Sequence, residues 1–434
     1  MPRQSPTPVR PTPLQPGEVE EALTRLLPSE KIEQFARVTG FVRRERKIHP
    51  IAFLWVLVLG FGVELHRHLQ ELKEGYVQRT GLPVSYPGFY LRFTPELSKF
   101  LKRCLEYALA ELAHESGREL DPRLAAFEDI VIKDSSVVRL HASLATKWPA
   151  TRSRKVAAGV KVDTLVSVRA NGPKSLALVG EEPHPSLRPR LLRPPPLRED
   201  RRAGRVLRLA PEGERRPAVR RSLTVHRGQA IDLEGQRLSE VLPRLQRGIL
   251  DAEVELTFKR RVYAGRRSSD TFRCRLVAVW NGEARKYHVY LTNIAPERLS
   301  AEEVATLYSL RWEIELTFKE MKSSYVLDKF RTTKVEVVEA LIWSALLTLV
   351  ASRRLHNLVR ARQPPELRPR CPPIRWGKAF RRTAREILAL LLSHLGLGAR
   401  VDQRRYTRLV SVQLTRLALD PHVTRHRPRD EWST

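Results

Sequence analysis

Cysteine is scarce in this 434-residue chain, and the three present, Cys104, Cys274 and Cys371, are far apart and odd in number. That excludes a disulfide framework, and no Cys-x2-Cys pair offers a metal site, so a reducing, cytoplasmic setting fits. The N-terminus, MPRQSPTPVRPTPLQPGEVEE, lacks the apolar stretch of a secretory signal. Long apolar runs are missing as well. Ile51 to Val63 and Val337 to Ala351 are too short to span a bilayer and are interrupted or flanked by charge, so both read as buried helices, with no membrane expected. Acidic residues are few, 48 against 78 Lys and Arg, which leaves a formal charge of +30. Such a charge attracts a polyanion along its whole length. Nucleic acid leads as partner and an acidic membrane surface comes second; the bland alternative is the arginine-rich composition of a GC-rich genome.

What is present falls into blocks. Residues 1–17 carry two Pro-Thr-Pro units and read as a disordered tail. Residues 18–120 read as helical: Glu18 to Leu27 and Glu30 to Thr39 are amphipathic, Ile51 to Leu72 is apolar with a Gly-Phe-Gly break, and Pro95 opens a further helix. This block is either a small DNA-binding region or a helical cap on the core. Residues 121–360 form the core. In it a β-branched run, Ile130 to Ile132, ends in Lys133-Asp134-Ser135-Ser136, and residues 156–180 read as two antiparallel strands joined by Ala170-Asn171-Gly172-Pro173. Residues 229–296 alternate as three more strands, and Ser300 with Glu303 forms a capping box that opens a helix. Residues 361–434 are basic, broken by proline and partly helical.

One stretch does not fit its strand-rich neighbours. Residues 185–221 contain no aromatic, Ile, Thr, Asn, Lys or Cys. A basic disordered insertion is one explanation. A shifted reading frame is another: permitted codons for Leu187 to Arg193, read one base later, give Ser-Asp-Leu-Gly-Tyr-Ser. The gene sequence between codons 180 and 230 decides between them.

The chain is organised around VATLYSLRWEIELTFKEMKSSY, residues 304–325. On one continuous helix at about 100° per residue, Tyr308, Arg311, Glu315 and Lys322 share a stripe roughly 60° wide. Leu307, Leu310, Ile314, Phe318, Met321 and Tyr325 fill the neighbouring stripe. A carboxylate thus stands among three donors at the edge of a buried face. An Arg311–Glu315 pair alone would be an ordinary surface ion pair; the four-residue spacing is what points further. Trp312 could stack a flipped base or pack on a neighbour. His141, His184, His226 and His288 lack metal-ligand spacing, and Asp163 reads as solvent-facing. Of the basic runs at 43–47, 259–267 and 381–385, the second is the expected phosphate-binding one.

Tyr308, Arg311, Glu315 and Lys322 match Y-x2-R-x3-E-x6-K, and here the chain resembles the DDE transposases of the insertion-sequence-four type. Asp134, in IVIKDSSVVRL, is similar to that family's first catalytic Asp at the end of its first core strand. The resemblance implies an α/β fold: a ribonuclease-H-like catalytic core with a β-strand insertion at about 229–296, a helical N-terminal region and a basic helical C-terminal segment. It implies Mg²⁺- or Mn²⁺-dependent DNA strand cleavage and strand transfer at transposon ends, with two ions in an intact site. Asp134 would bridge the ions and Glu315 would hold one. Arg311 and Lys322 would hold phosphates, and Tyr308 would contact the backbone. Implied partners are double-stranded DNA, as terminal inverted repeats and target, and a second copy in the synaptic complex; implied location is a bacterial cytoplasm, nucleoid-associated on DNA. The second Asp departs from the pattern. Only Asp200, in LRED, stands between residues 164 and 230, and its setting is not a strand end. An inactive remnant that binds DNA without cleaving it therefore stays open, as does a basic structural nucleic-acid protein.

Overall fold

A computed structural model describes residues 10–44, 48–63, 68–115, 117–124, 127–150, 156–180, 207–209, 218–223, 225–226, 229–230, 232–259, 269–325, 327, 330 and 332–420. In chain order, α1 is Glu18–Leu26, α2 Ser29–Val38, α3 Pro50–Val56, α4 Leu69–Thr80, α5 Tyr86–Tyr90 and α6 Pro95–Ala113. Strands β1 Val131–Leu140, β2 Ala158–Ser167 and β3 Gly172–Gly180 follow. Next come β4 Leu207–Leu209, β5 Ala218–Ser222, β6 Val225–His226, β7 Gln229–Ala230 and the short α7 Leu238–Val241. Then come β8 Ile249–Lys259, β9 Ser269–Asn281, β10 Lys286–Thr292, α8 Ala301–Ser309 and α9 Trp312–Ser323. Helices α10 Val335–Arg362, α11 Pro373–His394 and α12 Gln403–Ala418 complete the chain.

The chain divides into two compact units. The first comprises Met1–Leu120, Asp129–Pro185 and Trp312–Arg425; the second comprises Asp121–Glu128, Ser186–Arg311 and His426–Thr434.

In the first unit, helices surround α10, which is buried on nearly every side from Val337 to Val359. This helix is long and apolar enough to cross a membrane by composition, yet 83% of its most apolar window is packed inside the unit. Helix α6 starts with Pro95 in its first turn, where a missing N–H costs nothing, and buries Leu97, Leu101, Cys104, Leu105, Ala108 and Leu112 at helical spacing against the core. The Gly-Phe-Gly break appears as a π-helical turn, Leu57–Phe61, continuing α3. Thr348 Oγ1 of α10 lies 2.6 Å from Val58 O there, within donating distance, which links the wide turn to the core helix. The sheet of this unit has the order β1-β2-β3, all antiparallel. Asn171 takes the left-handed conformation (φ 52°) that closes the β2–β3 turn, as the Asn-Gly pair predicts. Its side-chain amide donates to Asn357 Oδ1 on α10 at 3.0 Å.

The second unit holds a five-stranded antiparallel sheet, order β4-β10-β9-β8-β5, and the hairpin β6-β7. One face of the larger sheet is apolar: Val219, Leu250, Ala252, Val254, Leu276, Ala278, Val289 and Leu291 pack under Leu238 and Val241 of α7. Arg275 is buried below this sheet and chelates Asp251 (Nε–Oδ1 2.9 Å, Nη2–Oδ2 2.6 Å) while donating to the carbonyls of Ile294 and Leu299. That places the link between β10 and α8, whose capping box of Ser300 and Glu303 is present as expected.

Three expectations change. The helix predicted across 304–325 is two helices, interrupted at Leu310 and Arg311, where i→i−3 bonds replace the i→i−4 ladder. Neither Gly nor Pro marks the break. Ser309 and Thr306 instead direct their hydroxyls to the carbonyls of Thr306 and Glu302, competing locally with the helix. The strand carrying Asp134 does not end there but runs to Leu140, because Ser135 to Leu140 pair in register with Asp163 to Ala158. Part of the expected N-terminal tail is held: Thr12 exchanges hydrogen bonds with the Gln363 amide, and the Leu14 N–H donates to Ser411 Oγ at 2.7 Å. The described pairings are all antiparallel, so a mixed α/β chain stands, without a parallel core strand among the described residues.

Candidate functional site

Strand alternation sets the surroundings of Asp134. Ile132, Asp134, Ser136 and Val138 point to one face of the sheet, and Ile132 and Val138 are buried there. Directly across on β2 stands Thr164, 1% exposed. Asp134 is therefore a solvent-reachable carboxylate on the core-facing side, at a place where the cover over the sheet ends. Its Oδ1 accepts the N–H of Ser135 at 2.7 Å. Asp163 lies on the opposite face, next to Lys161 Nζ at 3.2 Å, as the alternation predicts.

Helix α9 packs against β1 and β2 and carries Glu315, half-buried, with Lys322 two turns on. Its covered side is formed by Glu313, Ile314, Thr317, Glu320 and Met321. Two of these are charged and both are paired. Glu313 receives Arg118 Nη1 at 2.9 Å. Glu320 is fully enclosed with Arg353 of α10 and also accepts the hydroxyl of Tyr325 at 2.8 Å. Tyr325 in turn meets Ser352 Oγ, which accepts the indole N–H of Trp376 at 2.9 Å. Burial raises the Glu320 carboxyl above the usual range, against the pull of Arg353 and Tyr325. Burial, then the Glu320 charge, push the Tyr325 phenol up as well. This network ties the Glu315 helix to α10 and α11. The sequence carried one signal of it, a charged residue at 353 within an otherwise apolar helical run.

The other two motif residues lie in the second unit. The Tyr308 ring packs on Tyr290 (centroids 4.8 Å apart), and the Arg311 guanidinium lies 5.5 Å from the Tyr308 ring centre. Burial pushes the Tyr290 phenol upward, followed by the effect of Tyr308. Asp134, Glu315 and Lys322 thus share one unit, and Tyr308 and Arg311 share the other. Asp200, His184 and most of the 185–221 stretch lie outside the described residues, as does the 259–267 basic run beyond Lys259. Trp312 is 56% exposed.

A hard divalent cation takes several oxygen ligands. Asp134 and Glu315 are donors of that type, but among the described residues no three His, Cys, Asp or Glu side chains stand together as a metal-holding group. The described residues by themselves therefore do not make up a three-carboxylate site. The cysteines are poor nucleophiles in this setting: burial pushes Cys274 and Cys371 up to about 12 and Cys104 higher still. Sequence reasoning also missed His356, enclosed under Trp376, whose Nε2 donates to Cys371 O at 3.0 Å. Burial and then the Arg353 charge bring its pKa down to about 3, so it is a neutral structural histidine.

Comparison with known proteins gives consistent matches. Residues 188–351 match the family described as the transposase DDE domain, a span that takes in Tyr308, Arg311, Glu315 and Lys322. The transposase for insertion sequence element IS421 of Escherichia coli is 41% identical over 73 residues, 17% of this chain. That match spans about a fifth, 20%, of the relative's length. The transposases for IS231F and IS231B, from two subspecies of Bacillus thuringiensis, are 23% and 21% identical over 372 and 379 residues, covering 76% of this chain and 78% and 77% of theirs. A piggyBac transposase in a synaptic complex with hairpin DNA superposes with a TM-score of 0.40 at 10% identity, over 95% of this chain and 87% of that one.

Proposed function

We propose that the chain is a DDE-type insertion-sequence transposase, which cuts DNA at the ends of its element and joins the freed 3′ ends to target DNA. The observation that carries this reading is the placement of Asp134 and Glu315. One is a reachable carboxylate on the inner face of β1, and the other is on the helix packed against β1 and β2. Three antiparallel strands with an acidic helix against them support a ribonuclease-H-like core. In this reading the two carboxylates would hold Mg²⁺ or Mn²⁺, two ions in a complete site, which would supply positive charge to the phosphate being cut. Lys322 in the first unit holds a phosphate; in the second unit Arg311 holds a phosphate and Tyr308 contacts the backbone. The DNA partners are the element's terminal repeats and a target duplex, handled by two copies of the chain in the bacterial cytoplasm.

A second reading rests on one observation in the sequence: Asp200 is the only Asp between residues 164 and 230, and its Leu-Arg-Glu-Asp setting is not a strand end. In it the chain is a remnant that binds element ends without cutting them, its second Asp lost through a frame change within residues 185–221. One experiment addresses both readings. Supercoiled plasmid carrying the ends that flank the gene is incubated with the chain and Mg²⁺, and nicking and gel shift are scored. The transposase reading expects nicking by the wild type and none by Glu315→Gln, with both shifting the ends. Continued cutting by Glu315→Gln would overturn the assignment of Glu315. A wild type that shifts the ends and never nicks them establishes the remnant.

A further inference from the structure

Helix α11 carries a row of cations that neither the carboxylate pair nor the motif uses. Arg375, Lys378, Arg382 and Arg385 fall within about 80° of one another at 100° per residue, so they line one face over ~15 Å. Lys378, Arg382 and Arg385 are exposed. Among the described residues, Lys378 and Arg382 form no ion pair. Beside this row is a hollow of about 400 Å³ lined by Pro372, Ile374, Arg375, Lys378, Ala379, Arg382, Leu417 and Asp420. Three of its residues are cationic and one is acidic. Its rim is preset: the Arg375 Nε donates to Leu417 O at 2.9 Å, and Arg370 holds Asp420 O at 2.8 Å.

The positive field does not stop at α11. Arg79 at the end of α4 has its pKa lowered by burial and then by the nearby charge of Arg385, with Tyr406 and Glu386 opposing. Glu386, half-buried, flanks the row and offsets part of it. On the partner helix α12, Arg404, Arg405, Arg408 and Arg416 are also exposed. Holding like charges together in the fold is unfavourable unless an anion binds across them.

We propose that the α11 row and its hollow form a sequence-independent docking ridge for the phosphate backbone of duplex DNA. A polyanion with one phosphate per ~3.4 Å along each strand matches cations spread over ~15 Å. The ridge is independent of cutting: a chain that never cleaves would still have it, and a cleaving chain without it would still cleave.

The test uses the full-length protein and a fluorescent duplex lacking the element's ends. Binding is followed by anisotropy between 50 and 200 mM salt. For Lys378→Gln/Arg382→Gln/Arg385→Gln, the slope of log K against log salt is expected to fall by about 2.7, at about 0.9 for each phosphate that a side chain no longer neutralises. Over that fourfold range of salt, the wild type then loses about 40-fold more affinity than the variant. Lys378→Arg/Arg382→Lys/Arg385→Lys, which keeps the charge, is expected to keep the slope. A control of equal charge change in the other unit, Arg285→Gln/Lys286→Gln/Arg298→Gln, is expected to leave it unchanged. The proposal is overturned if the first variant keeps the wild-type slope, or if the control lowers it equally, since net charge rather than this face would then be responsible.

Discussion

Replacing Arg353 by Met removes the counter-charge of a carboxylate with no access to water, since Glu320 is fully buried and Arg353 is 3% exposed. Breaking one side of a buried pair costs about 3–5 kcal/mol. The size can also be bounded from the acid that remains. An unpaired Glu320 has one escape, protonation, and bringing a carboxyl with an ordinary value of ~4.3 to the neutral form at pH 7 costs about 3.7 kcal/mol. The Tyr325 hydroxyl still donates to it and limits the loss. The sign with pH follows. Burial raises the folded-state pKa of Glu320, so the folded form holds the proton more tightly than the unfolded chain. Stability from this group is therefore fully present below the ordinary carboxylate range and falls as pH rises. Without Arg353 that dependence steepens, and the penalty at pH 5 shrinks to about 1 kcal/mol for the protonation step. Urea unfolding followed by tryptophan fluorescence, to which Trp376 contributes from beside the pair through its bond to Ser352, reads this. At about 3 kcal/mol per M, the midpoint at pH 7 drops by about 1–1.7 M and recovers much of that at pH 5. A drop below about 0.3 M at pH 7, or one that is the same at both pH values, refutes the reasoning. Glu320→Leu/Arg353→Met, which removes both charges, is expected to lie well above the single variant.

Other outcomes follow from the same geometry. His356, with its pKa brought down to about 3, takes up its proton only on unfolding as pH falls. The wild type should therefore lose about 1.4 kcal/mol per pH unit from this group between about 6.5 and 3, and His356→Gln should show a flatter acid limb in urea titrations. Gly377→Ala places a methyl 2.8 Å from Ser324 Oγ and 3.3 Å from Glu320 Cγ, so a loss of about 1–3 kcal/mol is expected, with Ser324→Gly recovering part of it. Arg275→Met takes the two-pronged guanidinium from Asp251 and the donor from two buried carbonyls under the larger sheet; a cost of about 1–3 kcal/mol should appear as loss of amide-exchange protection in β8 and β9.

Sequence patterning reached these elements unevenly, for physical reasons. Local chemistry was legible: the capping box at Ser300, the Asn171-Gly172 turn, the Pro95 helix start and the alternating strands are each set by neighbours in the chain. Asp134 was legible as a residue and misplaced within its strand. Asp and Ser are poor strand formers, so Lys133-Asp134-Ser135-Ser136 reads as an end, and only the ladder to β2 carries the strand through it. The break at Leu310 and Arg311 had no proline or glycine to announce it. The Glu320–Arg353 pair and the enclosed His356 depend on residues tens of positions apart, which periodicity does not see. Glu315 was singled out by motif spacing and Asp134 by its β-branched setting, and among the described residues no third carboxylate joins them.

The first unit is sewn from both ends of the chain, and that fixes an order of events during synthesis. Helix α1 packs on α10 and α11, α6 packs on α10, and Thr12 and Leu14 bond to Gln363 and Ser411. The apolar faces that α1 and α6 turn to α10 are therefore made long before their partner exists. At roughly 5–20 residues per second, the ~220 residues between Ala113 and Val335 take about 10–45 s to emerge. Every strand of the five-stranded sheet lies between Leu207 and Thr292. Once residue 311 has left the ribosome the second unit has all its strands, while α1 and α6 still wait for α10.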